Sequence, residues 1–134
     1  MELATVLLVD DDPVILRSHA RFLDAEFAVE TCASARDADR RVAAGGIDVV
    51  VSDVSMPGMT GFELLGAIRQ RDARLPVILA SARSVTERAE RALSEGAFVY
   101  LSKPVDPAMF RAAIRLAVHY RRTPRTLPPE AATK

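Results

Sequence analysis

The sequence has few of the features that mark secreted, membrane or nucleic-acid-binding proteins. Its 134 residues include a single cysteine, Cys32, so no intramolecular disulfide can form and we expect a reducing compartment. The 18 Lys and Arg residues balance 18 Asp and Glu residues, so the net charge attracts neither nucleic acid nor an anionic membrane. No apolar run approaches the ~20 residues of a membrane helix, and the first residues do not resemble a signal peptide. We therefore expect a cytoplasmic domain that binds neither membrane nor nucleic acid directly.

Short apolar runs alternate along the chain with longer, charged segments of helical periodicity. With 49% apolar residues, the chain can bury the core of one globular domain. The pattern predicts strands at 5–9, 27–32, 47–52, 76–80 and 98–101, and helices at 13–25, 35–44, 61–71, 86–95 and 107–122. Repeated strand–helix units predict a doubly wound α/β fold with a parallel sheet and helices on both faces.

The last twelve residues differ from the rest. Residues 123–134 contain three prolines and little that could be buried, which is typical of a linker or a disordered tail. We therefore expect the folded domain to span residues 1–122. A proline-rich end of this kind often leads into another domain, although a natural disordered terminus would look the same.

Acidic residues stand where two predicted strands end. Asp10 and Asp11 follow the first strand, and Asp53 follows the third. In a five-stranded sheet of order 2-1-3-4-5 these strands are neighbours at the topological switch point, where ligands bind outside the carboxyl ends of the strands. The fourth and fifth strands would bring Ser81 and Lys103 to the same rim. The sequence therefore predicts one pocket built from residues far apart in the chain.

The chemistry of this set points to phosphoryl transfer. Several carboxylates suit a hard cation, above all Mg2+, which also recruits phosphate oxygens. Asp53 is the natural nucleophile, and Lys103 would neutralise charge on the group being transferred. A cis bond before Pro104 could aim the lysine. Singly, each residue has an ordinary explanation as a turn former or a helix cap, and it is their combination at one ligand site that favours function.

Four segments together resemble the phosphoacceptor receiver domain of bacterial two-component response regulators, over residues 4 to about 122. The segments are the acidic motif 9–13 (Val-Asp-Asp-Asp-Pro), the loop 53–61 that begins at Asp53, the hydroxyl motif 79–82 (Leu-Ala-Ser-Ala), and the fifth strand with its Lys-Pro at 96–104. They occur in the family's order and at its spacing. The resemblance implies a flavodoxin-like fold with strand order 2-1-3-4-5 and five helices.

The resemblance also implies a metal site. Asp53 would accept a phosphoryl group from a histidine kinase or a histidine phosphotransfer protein. Asp10 and Asp11 would hold Mg2+, with Asp11 and Asp53 as direct ligands and the backbone carbonyl of Ser55 as a further one.

The resemblance further implies a switch that transmits phosphorylation to a surface. Ser81 and Lys103 would contact the phosphoryl oxygens. Tyr100 would turn inward as Ser81 moves, which would alter the face formed by the fourth helix, the fifth strand and the fifth helix. That face would then control a C-terminal output domain or a separate effector protein. The domain would be no enzyme beyond slow hydrolysis of its own phosphate.

Two other functions remain open at the level of sequence. One is a Mg2+-dependent phosphohydrolase with an aspartate nucleophile, although such an enzyme usually has an acid where this chain has Ser55. The other is a degenerate receiver that binds partners without phosphorylation, which the complete set of acids, hydroxyl and lysine argues against. A dinucleotide-binding domain is set aside because no Gly-x-Gly-x-x-Gly follows the first strand.

Overall fold

Five strands and five helices alternate along the residues that the computed structural model describes, 2–82 and 86–123. The strands are β1 (Thr5–Val9), β2 (Ala28–Cys32), β3 (Val49–Asp53), β4 (Val77–Ser81) and β5 (Val99–Ser102). The helices are α1 (Pro13–Leu23), α2 (Ala35–Ala43), α3 (Gly61–Arg71), α4 (Thr86–Ser94) and α5 (Pro107–Arg122). All strand pairs are parallel, and the sheet order is β2-β1-β3-β4-β5. The predicted fold class and strand order are confirmed.

Local hydrogen bonds explain where the elements begin. The Asp12 side chain accepts from the Val14 N–H ahead of α1, and Pro13 suits the first helical turn because it lacks an N–H. Thr60 and Glu63 form a capping box at the start of α3. The predicted β3 began two residues too early: the Asp48 carboxylate instead accepts from the Thr5 N–H and holds the entry to the strand.

The sheet buries side chains on both faces, as the apolar strands predict. On one face Leu7, Val50 and Leu79 pack with residues of α2 and α3. On the other, alternate strand residues such as Leu8 and Val51 pack with α1 and α5. Because both faces are covered, polar side chains of the central strands reach solvent only at the strand ends. That restriction places the candidate site.

The turn between β3 and α3 brings two backbone segments unusually close. Gly61 N donates to the Val54 carbonyl at 2.9 Å. A Cβ atom at Gly61 would lie 2.4 Å from the Asp53 carbonyl oxygen and 2.9 Å from the Val54 Cα. Only glycine permits this approach, which fixes the backbone beside Asp53.

Asp72 fastens α3 and α5 together at the opposite end of the sheet. Its carboxylate accepts backbone N–H bonds from Arg74 and Leu75 and is paired with Arg121, whose Nη2 lies 2.6 Å from Oδ2. The hydrogen bond from Arg121 and those backbone donors hold the pKa of Asp72 below its ordinary value, against the opposing effect of burial. The ionised carboxylate is therefore the form that the fold prefers.

The chain end lies largely beyond the described residues. Helix α5 ends at Arg122, and residues 124–134 are outside the described part of the chain, so the linker or tail over 123–134 stays a prediction. Among the helices that the structure describes, none is long and apolar enough to cross a membrane.

We expect Asp72→Asn to destabilise the protein in a pH-dependent way. Because the pKa of Asp72 is lowered in the folded state, its stabilisation is complete above the ordinary value of 3.8 and is lost as pH falls through the lower folded value. At pH 7 the loss should be about 1 kcal/mol in urea unfolding, and it should shrink below pH 3.8. Asp24→Asn, at an exposed aspartate, is the control and should change little. A pH-independent difference would contradict the assigned pKa direction.

We expect Gly61→Ala to distort the backbone beside Asp53, since the added methyl would overlap two backbone atoms. The free energy of unfolding should fall by about 2–3 kcal/mol. Gly66→Ala is the matched control: Gly66 lies in the same helix with open space around it, and alanine there should stabilise by about 0.5–1 kcal/mol. Urea titrations of the parent and the two variants measure the free energies of unfolding. Equal changes for Gly61→Ala and Gly66→Ala would refute the predicted overlap at Gly61.

Candidate phosphoryl-acceptor site

Three carboxylates converge where β1 and β3 end. One oxygen each from Asp10, Asp11 and Asp53 lies within 4.8 Å of the others. The convergence follows from the sheet order, since Val9 pairs with Ser52 and so the residues after them meet at one edge. Asp10 is buried, Asp53 is half-buried and Asp11 is exposed. The structure therefore brings together the acids that the sequence singled out.

Lys103 lies between two of these acids. Its Nζ is 2.7 Å from Asp10 Oδ2 and 3.3 Å from Asp53 Oδ1. The backbone N–H of Lys103 donates to the Ser81 carbonyl at 2.8 Å, which anchors the loop after β5 to the end of β4. The bond from Lys103 to Pro104 is cis, as the sequence suggested. The ammonium thus reaches the acids from the far edge of the site.

The crowding of charged groups shifts the pKa values of Asp53 and Lys103. Burial raises the pKa of Asp53, and the charges of Asp10 and Asp11 act in the same direction, while Lys103 opposes them. Burial alone would lower the pKa of Lys103, but its hydrogen bond to Asp10 and the charges of both acids outweigh burial and raise it. Lys103 is therefore held as a cation, whereas Asp53 lacks enough positive charge around it to offset burial and its acidic neighbours.

The carboxylates of Asp10 and Asp11 differ in how firmly the protein holds them. Asp10 accepts the Asp12 N–H on Oδ1 at 2.9 Å and Lys103 on Oδ2, so both of its oxygens are fixed by the protein. Asp11 is exposed, and no donor from the described part of the chain holds its carboxylate. The cluster thus combines one fixed acid with one that can adjust to a ligand.

The donor set fits a hard divalent cation. Mg2+ takes six oxygens at 2.0–2.1 Å, so opposite ligands stand ~4.2 Å apart. The three carboxylate oxygens, within 4.8 Å of one another, need only small side-chain movements to meet that spacing. Bringing them together without a cation costs free energy, because like charges repel and the buried acid loses water.

Ser81 stands at the end of β4, next to the acid cluster. It is buried, and its strand neighbours place it beside Ser102 of β5, while Ala80 pairs with Asp53. Its Oγ accepts a hydrogen bond of 3.3 Å from Nη1 of Arg88 in α4. Arg88 could not be predicted from the sequence, because one arginine on a charged helix carries no signal of its own.

The remaining candidates occupy the edges of the site. Ser55 is exposed in the loop after β3. Tyr100 is half-buried on β5, where it pairs with Leu79 and packs against the core on the side of α2 and α3. Tyr100 therefore lies one strand away from Ser81 and not in the acid cluster itself.

Comparison with known proteins identifies the family. The model of the response regulator receiver domain matches residues 6–115. The chain is 38% identical over 118 residues to the C4-dicarboxylate transport transcriptional regulatory protein DctD of Pseudomonas aeruginosa, covering 87% of this chain and 26% of that protein. It is 37% identical over 123 residues to the DNA-binding transcriptional regulator NtrC of Escherichia coli, covering 90% and 26%. The chain thus spans about a quarter of the length of these relatives.

Solved structures agree in fold. A response regulator receiver domain protein from Clostridium thermocellum superposes with a TM-score of 0.85 at 31% identity, covering 90% of this chain and 98% of that one. The chemotaxis protein CheY4 of Vibrio cholerae gives 0.80 at 32% identity, covering 86% and 98%. The family match extends over the strands that deliver the acid cluster, Ser81 and Lys103. This chain belongs to the family of response regulator receiver domains.

Proposed function

We propose that this domain is a phosphorylation-dependent switch in which Asp53 accepts a phosphoryl group from a histidine kinase or a histidine phosphotransfer protein. The observation that carries the proposal is the position of the Asp53 carboxylate, 3.3 Å from Lys103 Nζ and within 4.8 Å of two further acids at the carboxyl end of the sheet. A nucleophile, a cation and a set of metal-binding oxygens are the parts that phosphoryl transfer to a carboxylate requires.

In the proposed reaction a carboxylate oxygen of Asp53 attacks phosphorus, and the bond to the donor nitrogen of phosphohistidine breaks as the imidazole leaves. Lys103 neutralises negative charge on the phosphoryl oxygens. Mg2+ would be held by Asp11 and Asp53 directly, with Asp10 nearby and the Ser55 carbonyl as a further ligand, and when bound it would supply positive charge to the same oxygens. Asp10 keeps Lys103 in place through their 2.7 Å contact.

The proposed output begins at Ser81. Its hydroxyl would donate to a phosphoryl oxygen on Asp53, which draws the end of β4 toward the site. Tyr100 lies on the adjacent strand and would follow, so that the face of α4, β5 and α5 changes. Phosphorylation would act by stabilising one of two arrangements through these differential contacts.

The partners of this face are part of the proposal. The relatives are named as transcriptional regulators, and the chain spans about a quarter of their length, so we propose a C-terminal output domain or a separate effector protein in the cytoplasm. Self-hydrolysis of the phosphate would be slow. We do not advance a phosphohydrolase, because Ser55 stands where such an enzyme usually carries its second acid.

We expect acetyl phosphate with Mg2+ to add one phosphoryl group to the protein and Asp53→Asn to abolish the addition, because the amide is no nucleophile for phosphorus. Intact-protein mass spectrometry measures both. Asp12→Asn is the matched control: it removes a neighbouring acid outside the cluster, and asparagine caps a helix as well as aspartate does. Modification of the Asp53→Asn protein at the parent level would refute the assignment.

We expect Mg2+ to raise the thermal unfolding midpoint, because a cation that binds only the folded form stabilises it by mass action. At a concentration ~100 times the dissociation constant the gain is about 2.7 kcal/mol. Asp11→Asn should lose most of this shift, whereas Asp12→Asn should keep it. A midpoint that Mg2+ leaves unchanged in the parent would remove the metal from the proposal.

A further inference from the structure

Arg88 makes an unusual contact for a residue on a charged surface helix. Its Nη1 lies 3.3 Å from the buried Oγ of Ser81, and the residue is itself half-buried. Within the described residues, no carboxylate lies within ion-pair distance of Arg88, whereas Arg91 one turn later pairs with Glu95 at 2.7 Å and stacks over Phe62 at 4.0 Å. The charge of Arg88 is therefore directed at a hydroxyl without a neutralising acid.

The direction of the hydrogen bond between Arg88 and Ser81 is fixed by the chemistry of the two side chains. A guanidinium has donors only, so the Ser81 oxygen must be the acceptor. One lone pair of Oγ is then occupied, and the hydroxyl proton must point away from the guanidinium. The Ser81 proton is therefore directed at an acceptor other than Arg88.

The surroundings indicate which acceptor that would be. Ser81 follows Ala80, which pairs with Asp53, and its carbonyl binds the N–H of Lys103. The backbone of Ser81 thus stands at the rim that holds Asp53 and Lys103. A phosphoryl group on Asp53 would bring anionic oxygens to this rim as acceptors for the Ser81 proton.

We propose that Arg88 is a positioning residue for phosphoryl capture: it orients the Ser81 hydroxyl toward the phosphoryl oxygens and so couples α4 directly to the site. The inference rests on the proposed function of Asp53 and deepens it. Because Arg88 belongs to α4 and Ser81 to β4, any movement of the hydroxyl toward the phosphoryl group is passed to the helix through this contact.

A double-mutant cycle tests the inference, with the dissociation constant of beryllofluoride, a phosphoryl mimic, as the readout in the presence of Mg2+. Arg88→Met, which keeps the length of the side chain and removes its charge, should weaken binding about threefold to tenfold. Ser81→Ala should also weaken it. If Arg88 acts through Ser81, the double variant should bind no more weakly than Ser81→Ala alone.

Two further variants separate positioning from general structure. Arg91→Met, in the same helix but paired elsewhere, should bind like the parent. Arg88→Lys keeps the charge and a donor, so it should bind between the parent and Arg88→Met. Thermal melts without ligand should show that all variants fold, because Arg88 is only partly buried, Arg91 is exposed and Ser81→Ala removes a single hydroxyl.

The outcomes that would overturn the inference are distinct from those against the proposed function. Parent-like binding by Arg88→Met, or full additivity with Ser81→Ala, would show that the contact does not position the hydroxyl. Tighter binding would show that Arg88 holds the hydroxyl away from the phosphoryl group, which is the reverse of the proposal. A parent protein that does not bind beryllofluoride at all would instead overturn the proposed function.

Discussion

The ammonium of Lys103 beside Asp10 and Asp53 is the contact on which the functional end of the molecule depends. Three carboxylates within 4.8 Å repel one another, and the burial of Asp10 and the partial burial of Asp53 make those two charges more costly still. Lys103 offsets part of this cost from 2.7 and 3.3 Å. The raised pKa of Asp53, due first to burial, shows that the offset is incomplete. The free domain therefore keeps a deficit of positive charge at Asp53, which a further cation would relieve.

Ser81 connects the same end of the sheet to α4. Ser81 is bound on its backbone side by Lys103 and on its side-chain side by Arg88. The acid cluster and α4 are thus linked through the buried Ser81, with Tyr100 on the neighbouring strand. Phosphorylation would change the charge at the acid cluster, and the proposed switch is the response of Ser81, Tyr100 and α4 to that change.

Much of the fold could be predicted because the local sequence patterns of strands, helices and caps agree with the sheet topology that the structure shows. The apolar strands and the proline and capping residues placed the ends of every element within two residues. The error at β3 arose because Ile47 leads closely into the apolar run 49–51, whereas the Asp48 side chain accepts from the Thr5 N–H just before the strand begins. Asp10, Asp11, Asp53, Ser81 and Lys103 could be grouped in advance, since parallel strands deliver their ends to one edge. Their roles in catalysis and switching remain predictions.

The sequence by itself determined the strand–helix alternation and the acids that end the strands. The close backbone approach that requires glycine at position 61 was visible only in the structure. The tertiary structure decided which oxygens meet, that Asp10 is fixed while Asp11 is adjustable, and that Arg88 reaches Ser81. The reason is physical: periodicity reports which face of an element is buried, because that depends on near neighbours in sequence. A hydrogen bond between α4 and the end of β4 depends instead on how two elements pack and where one long side chain settles, and no local pattern encodes either.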